Sequence, residues 1–376
     1  MQTSLTTRET QVSAILAERI AAGDFPSAVY LVSEKRRSVF ADALGHAVID
    51  PYRITASLNT IYDLASLTKP LVTGMLCAQL VEKGELTLDS AVAHYLPEFE
   101  RTDRQMITVR ELLTHTSGLP AWRPLYILAE NKRERALGVI ANEALEYKPG
   151  RRVVYSDLGF IVLGFLLERL TGTELGKLAQ TEIIEPLKLQ HTFFNPEMAL
   201  QTGIAACETG NSYERETAHT LGVENYADWR EQVIWGEVHD GNSYFLGGVA
   251  GHAGLFSTAN ETLRLATQFL ANQSELLSAA TCTELFTRNM TEGLEEARSL
   301  SWQLAQSPES AAGPSLPAGS FGHSGFTGTS CWIDPHHQRV FILLTNRTHA
   351  RALPFVNINS VRREFHSLAT AALTLG

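Results

Sequence analysis

Ser66-Leu67-Thr68-Lys69-Pro70 stands at the head of an apolar run in which Leu67, Leu71, Val72, Met75, Leu76 and Leu80 recur at helical spacing until Gly84. That period predicts a helix from about Asp63 with one buried face. A Ser and a Lys three apart at the start of such a helix point to the same side, so hydroxyl and amine can share a hydrogen bond. Pro70 cannot form an ordinary helical bond to the Ser66 carbonyl. Ser66 is therefore expected in the first turn, where the positive end of the helix dipole favours a developing alkoxide.

Upstream, Val12, Ile15, Leu16 and Ile20 precede Gly23 and predict an amphipathic helix over about 8–22. Ser27–Ser33 and Ser38–Leu44, joined by Glu34-Lys35-Arg36-Arg37, read as a β-hairpin. At the far end, Gly328–Ile333 and Val340–Thr345 read as two strands, followed by a helix from about Val356 to Leu373. Helix and hairpin open the chain, and hairpin and helix close it. The expected fold is α/β of the α+β kind, an antiparallel sheet flanked by helices plus a mainly helical lobe. Residues 1–62 and 258–376 are assigned to the sheet lobe and 63–257 to the helical one, with the active site between them. Within the latter, 203–245 is acidic, aromatic and weakly periodic, which predicts a long surface excursion of the kind that often forms lids or binding segments. Ser307 to Ser320, rich in Ala, Gly, Ser and Pro, is expected to be a flexible loop.

The 376 residues are 44% hydrophobic and 19% charged, which excludes a disordered or collagen-like chain. A formal charge of −10 without a run of five or more like charges argues against nucleic acid or an anionic membrane as main partner. No stretch of about 18 residues is apolar enough for a membrane span. Met1 to Glu9 lacks the basic start and apolar run of a signal peptide, so a cytoplasmic chain is expected. Cys77, Cys207, Cys282 and Cys331 lie far apart and read as free thiols, and no metal site or cofactor is expected. The partner is then a small-molecule or peptide substrate.

H-E-x-x-H, the P-loop, G-x-G-x-x-G and the G-x-S-x-G elbow are all missing. Two further elements accompany Ser66 and Lys69. Tyr155-Ser156-Asp157 follows a Pro-Gly turn, and a phenolate held ionised by a nearby ammonium could take a serine proton and return it to a leaving group. Gly322-His323-Ser324-Gly325-Phe326-Thr327-Gly328 precedes a strand, where small residues let a substrate lie against the edge. There the Phe326 N–H could join that of Ser66 as an oxyanion hole.

S-x-x-K, then Tyr-x-Asn/Asp, then Lys/His-x-Gly before a late strand resembles the group of penicillin-recognising enzymes that holds class C β-lactamases, D-stereospecific peptidases and serine esterases. The resemblance spans most of the chain. It includes Leu112-Leu113-Thr114-His115-Thr116-Ser117-Gly118-Leu119-Pro120 and Gly247-Gly248-Val249-Ala250-Gly251-His252-Ala253-Gly254-Leu255. It implies a nucleophile at Ser66, its partner at Lys69, an acid/base at Tyr155, and substrate contacts at Asp157, His323, Ser324, Gly325 and Phe326. The implied activity is cleavage of an ester, amide or β-lactam through an acyl-serine; the alternative is a penicillin-sensing or binding protein that acylates without efficient turnover.

Asp157 stands where class C β-lactamases usually have Asn, and His323 where they usually have Lys. A carboxylate-binding role would require His323 to be protonated. A Lys69 acting as the base would need a depressed pKa; if Tyr155 is the base, Lys69 stays charged. Among other histidines, His115 is expected to hold a loop by hydrogen bonding, His252 to belong to a glycine turn, and His336-His337 to lie solvated at a hairpin tip. His239-Asp240-Gly241-Asn242 could line the acyl pocket or serve structure alone.

Overall fold

The computed structural model describes residues 7–101, 103–223 and 226–374. Nine strands follow in chain order: β1 Ser27–Glu34, β2 Arg37–Val48, β3 Ile54–Thr55, β4 Tyr62–Asp63, β5 Phe256–Ser257, β6 Gln303–Leu304, β7 Phe321–Ser324, β8 Ser330–Asp334 and β9 Arg339–Thr345. Seven of them form one antiparallel sheet in the order β3-β2-β1-β9-β8-β7-β6, while β4 and β5 pair separately. The two predicted hairpins are present, and β1 lies beside β9, so the chain's two ends meet in the middle of the sheet. The first hairpin turns at Lys35 and Arg36, both at positive φ, the geometry a two-residue hairpin loop requires.

Both sheet faces are covered, which is why β1 and β9 are almost continuously apolar. Ala28, Tyr30, Val32, Trp332, Phe341 and Leu343 point to one face, where the helices Thr7–Ala21 and Asn359–Leu373 pack with Val12, Leu16, Phe365 and Ala369. Val29, Leu31, Ile333, Ile342 and Leu344 point to the other and merge with Leu263 and Leu265 of the helix Ala259–Ala266 and with the helices of the chain's middle. The apolar cluster on this second face therefore continues without a break from the sheet to the helix that follows Ser66.

Two segments carry more packing than their composition suggests. Ile204–Cys207 is buried, with Ala205 N–H on the Ile61 carbonyl and Ala206 N–H on the Ala47 carbonyl, and a helix Ser212–Thr220 follows. Four apolar residues are too few to show a period. Ser307–Ser320 lies against the last helix through buried Ala311, Ala312 and Leu316. Gly313 permits this, since a Cβ there would stand 3.0 Å from that of Arg363. Among the described residues no helix is long and apolar enough to cross a membrane, and the four cysteines are unbridged and buried.

His366 ties that loop to the sheet: its Nδ1–H lies 3.1 Å from both the Ala311 and Ala312 carbonyl oxygens, and its ring packs against Trp332 and Phe341. Burial pushes its pKa down to about 3. The unfolded chain, with an ordinary value of ~6.5, binds a proton the folded chain refuses. Stability contributed by neutral His366 is thus full above pH 6.5 and declines as the pH falls towards 3, by up to about 1.4 kcal/mol per pH unit. Denaturant unfolding at pH 7, 6 and 5 is expected to show a shallower acid loss in His366→Asn than in the parent. Equal slopes would contradict a neutral buried His366.

Candidate active site

Ser66 is the one residue between 60 and 80 that is half-buried rather than buried. It sits in a single 3₁₀ turn, Ala65–Leu67, which leads through a π-helical turn, Lys69–Gly74, into the α-helix Met75–Glu82. Pro70 has no N–H to give, and the wider π turn absorbs that loss. Ala65 has φ +48, a left-handed conformation that costs a non-glycine residue free energy and that occurs at functional sites. The Asp63 carboxylate holds this kink by accepting the Ala65 N–H at 2.8 Å.

Lys69 Nζ donates to Ser66 Oγ at 3.0 Å and to the His252 carbonyl oxygen at 3.1 Å, and it pairs with Asp157 Oδ1 at 2.6 Å. Its side chain is 0% exposed. Burial alone pulls the ammonium pKa down, but Asp157 and then Tyr155 outweigh it and the net shift is upward. The depressed pKa that a Lys69 base would need is therefore not found, and Lys69 is an ammonium. The Asp157 carboxylate is the main physical reason.

The second element is placed by the phrase 112–120. His115 Nδ1 accepts the Ser156 N–H at 3.0 Å, the His115 carbonyl accepts the Val154 N–H, and Ser156 Oγ donates to the Pro120 carbonyl at 2.7 Å. Ser156 also caps the helix Asp157–Thr171 by accepting the Gly159 N–H, which puts Asp157 at its first position facing Lys69. The His115 ring lies 4.5 Å from that of Tyr155, so His115 holds the loop as expected and the Tyr155 ring as well. The Tyr155 ring faces Lys69 Nζ at 4.9 Å. Its oxygen is buried without an ideally directed hydrogen bond. Burial raises the phenol pKa, partly offset by the Lys69 charge and the Ser66 hydroxyl, so Tyr155 rests protonated.

The third element is bound to the backbone just before Ser66. Thr327 Oγ1 donates to the Asp63 carbonyl at 2.8 Å and Thr329 Oγ1 to the Leu64 carbonyl at 2.9 Å. A Cβ on Gly325 would stand 2.6 Å from the Leu64 oxygen, so only glycine lets this turn lie against the Ser66 segment. Behind it, buried Arg362 donates to the Gly325 and Thr329 carbonyls. Ser324 and Phe326 are half-buried beside Ser66, and the Phe326 ring packs at a tilt on that of Tyr213, 4.6 Å between centroids. His323 lies 5.7 Å from the Tyr155 ring, with Nδ1–H on the Ser324 carbonyl. Burial first, then Lys69 and Arg298, hold its pKa well below 6.5. A protonated, carboxylate-binding His323 is thus not what the fold supports: its imidazole is neutral, with Nε2 as an acceptor.

These residues open onto one cavity of about 570 Å³ that Ser66, Tyr155, Asp157, His323, Trp122 and Phe326 help to line. The segment 203–245 supplies Tyr213, Glu214, His239 and Asp240 to its far wall. Glu214 accepts from Tyr126 Oη at 2.9 Å, and burial lifts its pKa to about 7. His239 pairs with Glu208 at 2.7 Å and His252 with Asp240 at 2.8 Å, so these two histidines do more than shape turns. The sequence motifs did not reveal Arg298, which reaches the cavity from the segment before β6. No local pattern marks it, because its place is set by tertiary contacts: a backbone bridge with Gln303 and its guanidinium 5.8 Å from the Tyr155 ring.

The sequence profile of the Beta-lactamase family matches residues 12–359. A Salmonella agona (strain SL483) protein named "Putative D-alanyl-D-alanine carboxypeptidase" is 32% identical over 375 residues, covering 92% of this chain and 84% of that protein. Among solved structures, EstCE1, a hydrolase with promiscuous acyltransferase activity, superposes with a TM-score of 0.74 at 22% identity over 96% of this chain and 98% of that one. A class C β-lactamase superposes with a TM-score of 0.71 at 16% identity over 98% and 100%. Both likenesses concern the fold, an antiparallel sheet with flanking helices. The profile match over most of the chain and the 32% identity to the Salmonella protein together place this chain in the β-lactamase family of serine hydrolases.

Proposed function

We propose that the protein cleaves an ester, amide or β-lactam through a covalent acyl-serine, and that the cleft lies between a sheet lobe of residues 1–62 and 258–376 and a mainly helical lobe of 63–257. The observation that carries this reading is the contact of Lys69 Nζ with Ser66 Oγ at 3.0 Å, inside a buried charge pair and beneath a buried phenol. Ser66 Oγ bonds to the substrate's acyl carbon. Its proton goes to the oxygen of ionised Tyr155, which passes it to the leaving atom as that bond breaks; water then releases the acyl group by the reverse exchange. Lys69 remains an ammonium and stabilises both the phenolate and the serine oxygen. The N–H groups of Ser66 and Phe326 receive the oxyanion, and the edge His323 to Gly325 aligns the substrate. Among acyl donors, the name of the Salmonella relative supports a peptide ending in D-alanine.

Ser66→Ala is expected to abolish both turnover and labelling by a fluorophosphonate or penicillin probe. An adduct found by mass spectrometry on Ser117 or Ser324 would overturn the assignment.

Because burial raises the Tyr155 pKa, the reactive phenolate is scarce at pH 7 and grows with pH. The acylation kcat/KM is therefore expected to keep rising towards pH 10, and Tyr155→Phe to lose both this rise and at least about a hundredfold in rate, as removal of a general base does. Lys69→Arg, which keeps the charge but cannot act as a base, is expected to retain the rising limb at reduced rate. A profile that levels near pH 7 in the parent and is lost in Lys69→Arg would return the base role to Lys69.

A further inference from the structure

Among the described residues, four carboxylates line the cavity onto which Ser66 opens: Asp157, Glu214, Asp240 and Glu309. Asp157 is spent on Lys69 and Glu309 on Arg363, but no lysine or arginine pairs with Asp240 or Glu214 among the described residues. Asp240 Oδ1 accepts the Ser243 N–H at 2.7 Å and pairs with His252 Nε2 at 2.8 Å. Its Oδ2 accepts no hydrogen bond among the described residues and is not buried; the side chain is 21% exposed and faces the cavity. Burial pushes the Asp240 pKa up, but His252, the Ser243 N–H and the field of Lys69 outweigh it, so the carboxylate is ionised. Glu214 beside it accepts from Tyr126 Oη and from the Gly241 N–H, and burial, then the charge of Asp240, lift its pKa to about 7. A cation at this wall would relieve that repulsion. The wall is also fixed in place. His239 N–H donates to Asp63 Oδ2 at 2.8 Å, and Asn242 accepts the Leu125 N–H at 2.8 Å and donates to the Arg123 carbonyl at 2.9 Å.

This end of the cavity is the acyl end. The His323 ring lies 5.7 Å from that of Tyr155, whereas Phe326, three residues on, packs against Tyr213 at 4.6 Å and His239 at 5.5 Å. In the mechanism above Tyr155 protonates the leaving atom and the Phe326 N–H receives the oxyanion. The leaving group therefore lies towards His323, and the acyl chain runs past Phe326 to the wall that holds Asp240.

We propose that Asp240 is the specificity-determining residue that receives an ammonium group on the acyl part of the substrate, through Oδ2, with Glu214 behind it. The cleft is thereby matched to acyl donors that carry a free amine beyond the scissile carbonyl, and it discriminates against neutral chains of the same length. A carboxylate already held in position meets such a group without reorganising, and an N⁺–H···O⁻ bond is about twice as strong as a neutral one. Trp122 and Tyr213 line the same cavity and give apolar surface to the chain that carries the amine. Asp240 also holds His252, whose carbonyl accepts Lys69 Nζ. A role in positioning alone would weaken every substrate alike, which separates it from recognition of a cation.

This rests on the acyl-serine reading above. The test uses the p-nitrophenyl esters of 6-aminohexanoic and 8-aminooctanoic acid beside those of heptanoic and nonanoic acid, so that leaving group and chain length match and only the charge differs. The readout is the ratio of kcat/KM for the amino ester to that for its neutral counterpart at pH 7. Asp240→Asn, which keeps the acceptor for Ser243 and His252, is expected to lower this ratio at least tenfold at one length or both, mainly through KM of the amino ester. A ratio unchanged at both lengths overturns the proposal, whether because neither ester is affected or because both lose equally. Should the variant fail to fold, the parent decides: n-hexylammonium is expected to protect Ser66 from fluorophosphonate labelling at a concentration at least tenfold lower than 1-hexanol. Protection at equal or higher concentration also overturns the proposal. Turnover of both kinds of ester that survives Ser66→Ala would instead overturn the acyl-serine reading, whatever the ratio does.

Discussion

The buried pair of Lys69 and Asp157 is the interaction on which the centre of this molecule depends. An ammonium with no exposure to water costs several kcal/mol unless a carboxylate and further acceptors compensate it. Three segments distant in sequence supply the compensation. Asp157 comes from the first turn of the helix Asp157–Thr171, the carbonyl of His252 from the glycine-rich phrase before β5, and the hydroxyl of Ser66 from the turn that Lys69 itself follows. The surrounding bonds serve to hold those segments together. Thr73 Oγ1 bonds the Gly251 carbonyl, Thr68 Oγ1 accepts the Leu255 N–H, and Gly251 lies so close to the Phe160 carbonyl that no side chain fits. The phrases 112–120 and 247–255 are thus scaffolding for one charge.

That charge then sets the state of its neighbours. Burial first, and then the fields of Lys69 and Arg298, hold His115 and His323 well below their ordinary pKa. Asp240, on the opposite wall, is driven towards higher pKa by burial, but its pairing with His252 and the field of Lys69 win, and it stays ionised. A histidine in the third motif therefore does not act as a weaker lysine. It is a neutral hydrogen-bonding ring, and the permanent positive charge of that region belongs to Arg298, from the segment before β6. Asp157 keeps Lys69 a cation, and the neutral His323 places no second cation beside it.

Much of this was legible in the sequence because it is local. The spacing of Ser66 and Lys69, the period of the helices at both ends and the two hairpins each depend on neighbours within a few residues, and the structure bears them out. The juxtaposition of Tyr155, Asp157 and His323 with Ser66 came from the family resemblance, since nothing in local pattern brings residues so far apart together. What was not legible has a common physical cause. Whether Lys69 is charged depends on a balance between burial and one carboxylate at 2.6 Å, a distance no motif encodes. Arg298 meets the site through tertiary contacts, and the packing of Ile204–Cys207 and Ser307–Ser320 rests on few apolar residues that fill gaps without showing a period.

The protonation state of Lys69 is the point at which this account can be tested most directly. In protein labelled with ¹³C at lysine Cε, the Lys69 resonance is identified as the one missing from Lys69→Arg and followed by NMR from pH 6 to 9. The Asp157 pair predicts an ammonium shift that does not titrate over that range. A resonance that moves to the neutral amine position with a midpoint near pH 7 would contradict it, and would restore Lys69 as the base that deprotonates Ser66.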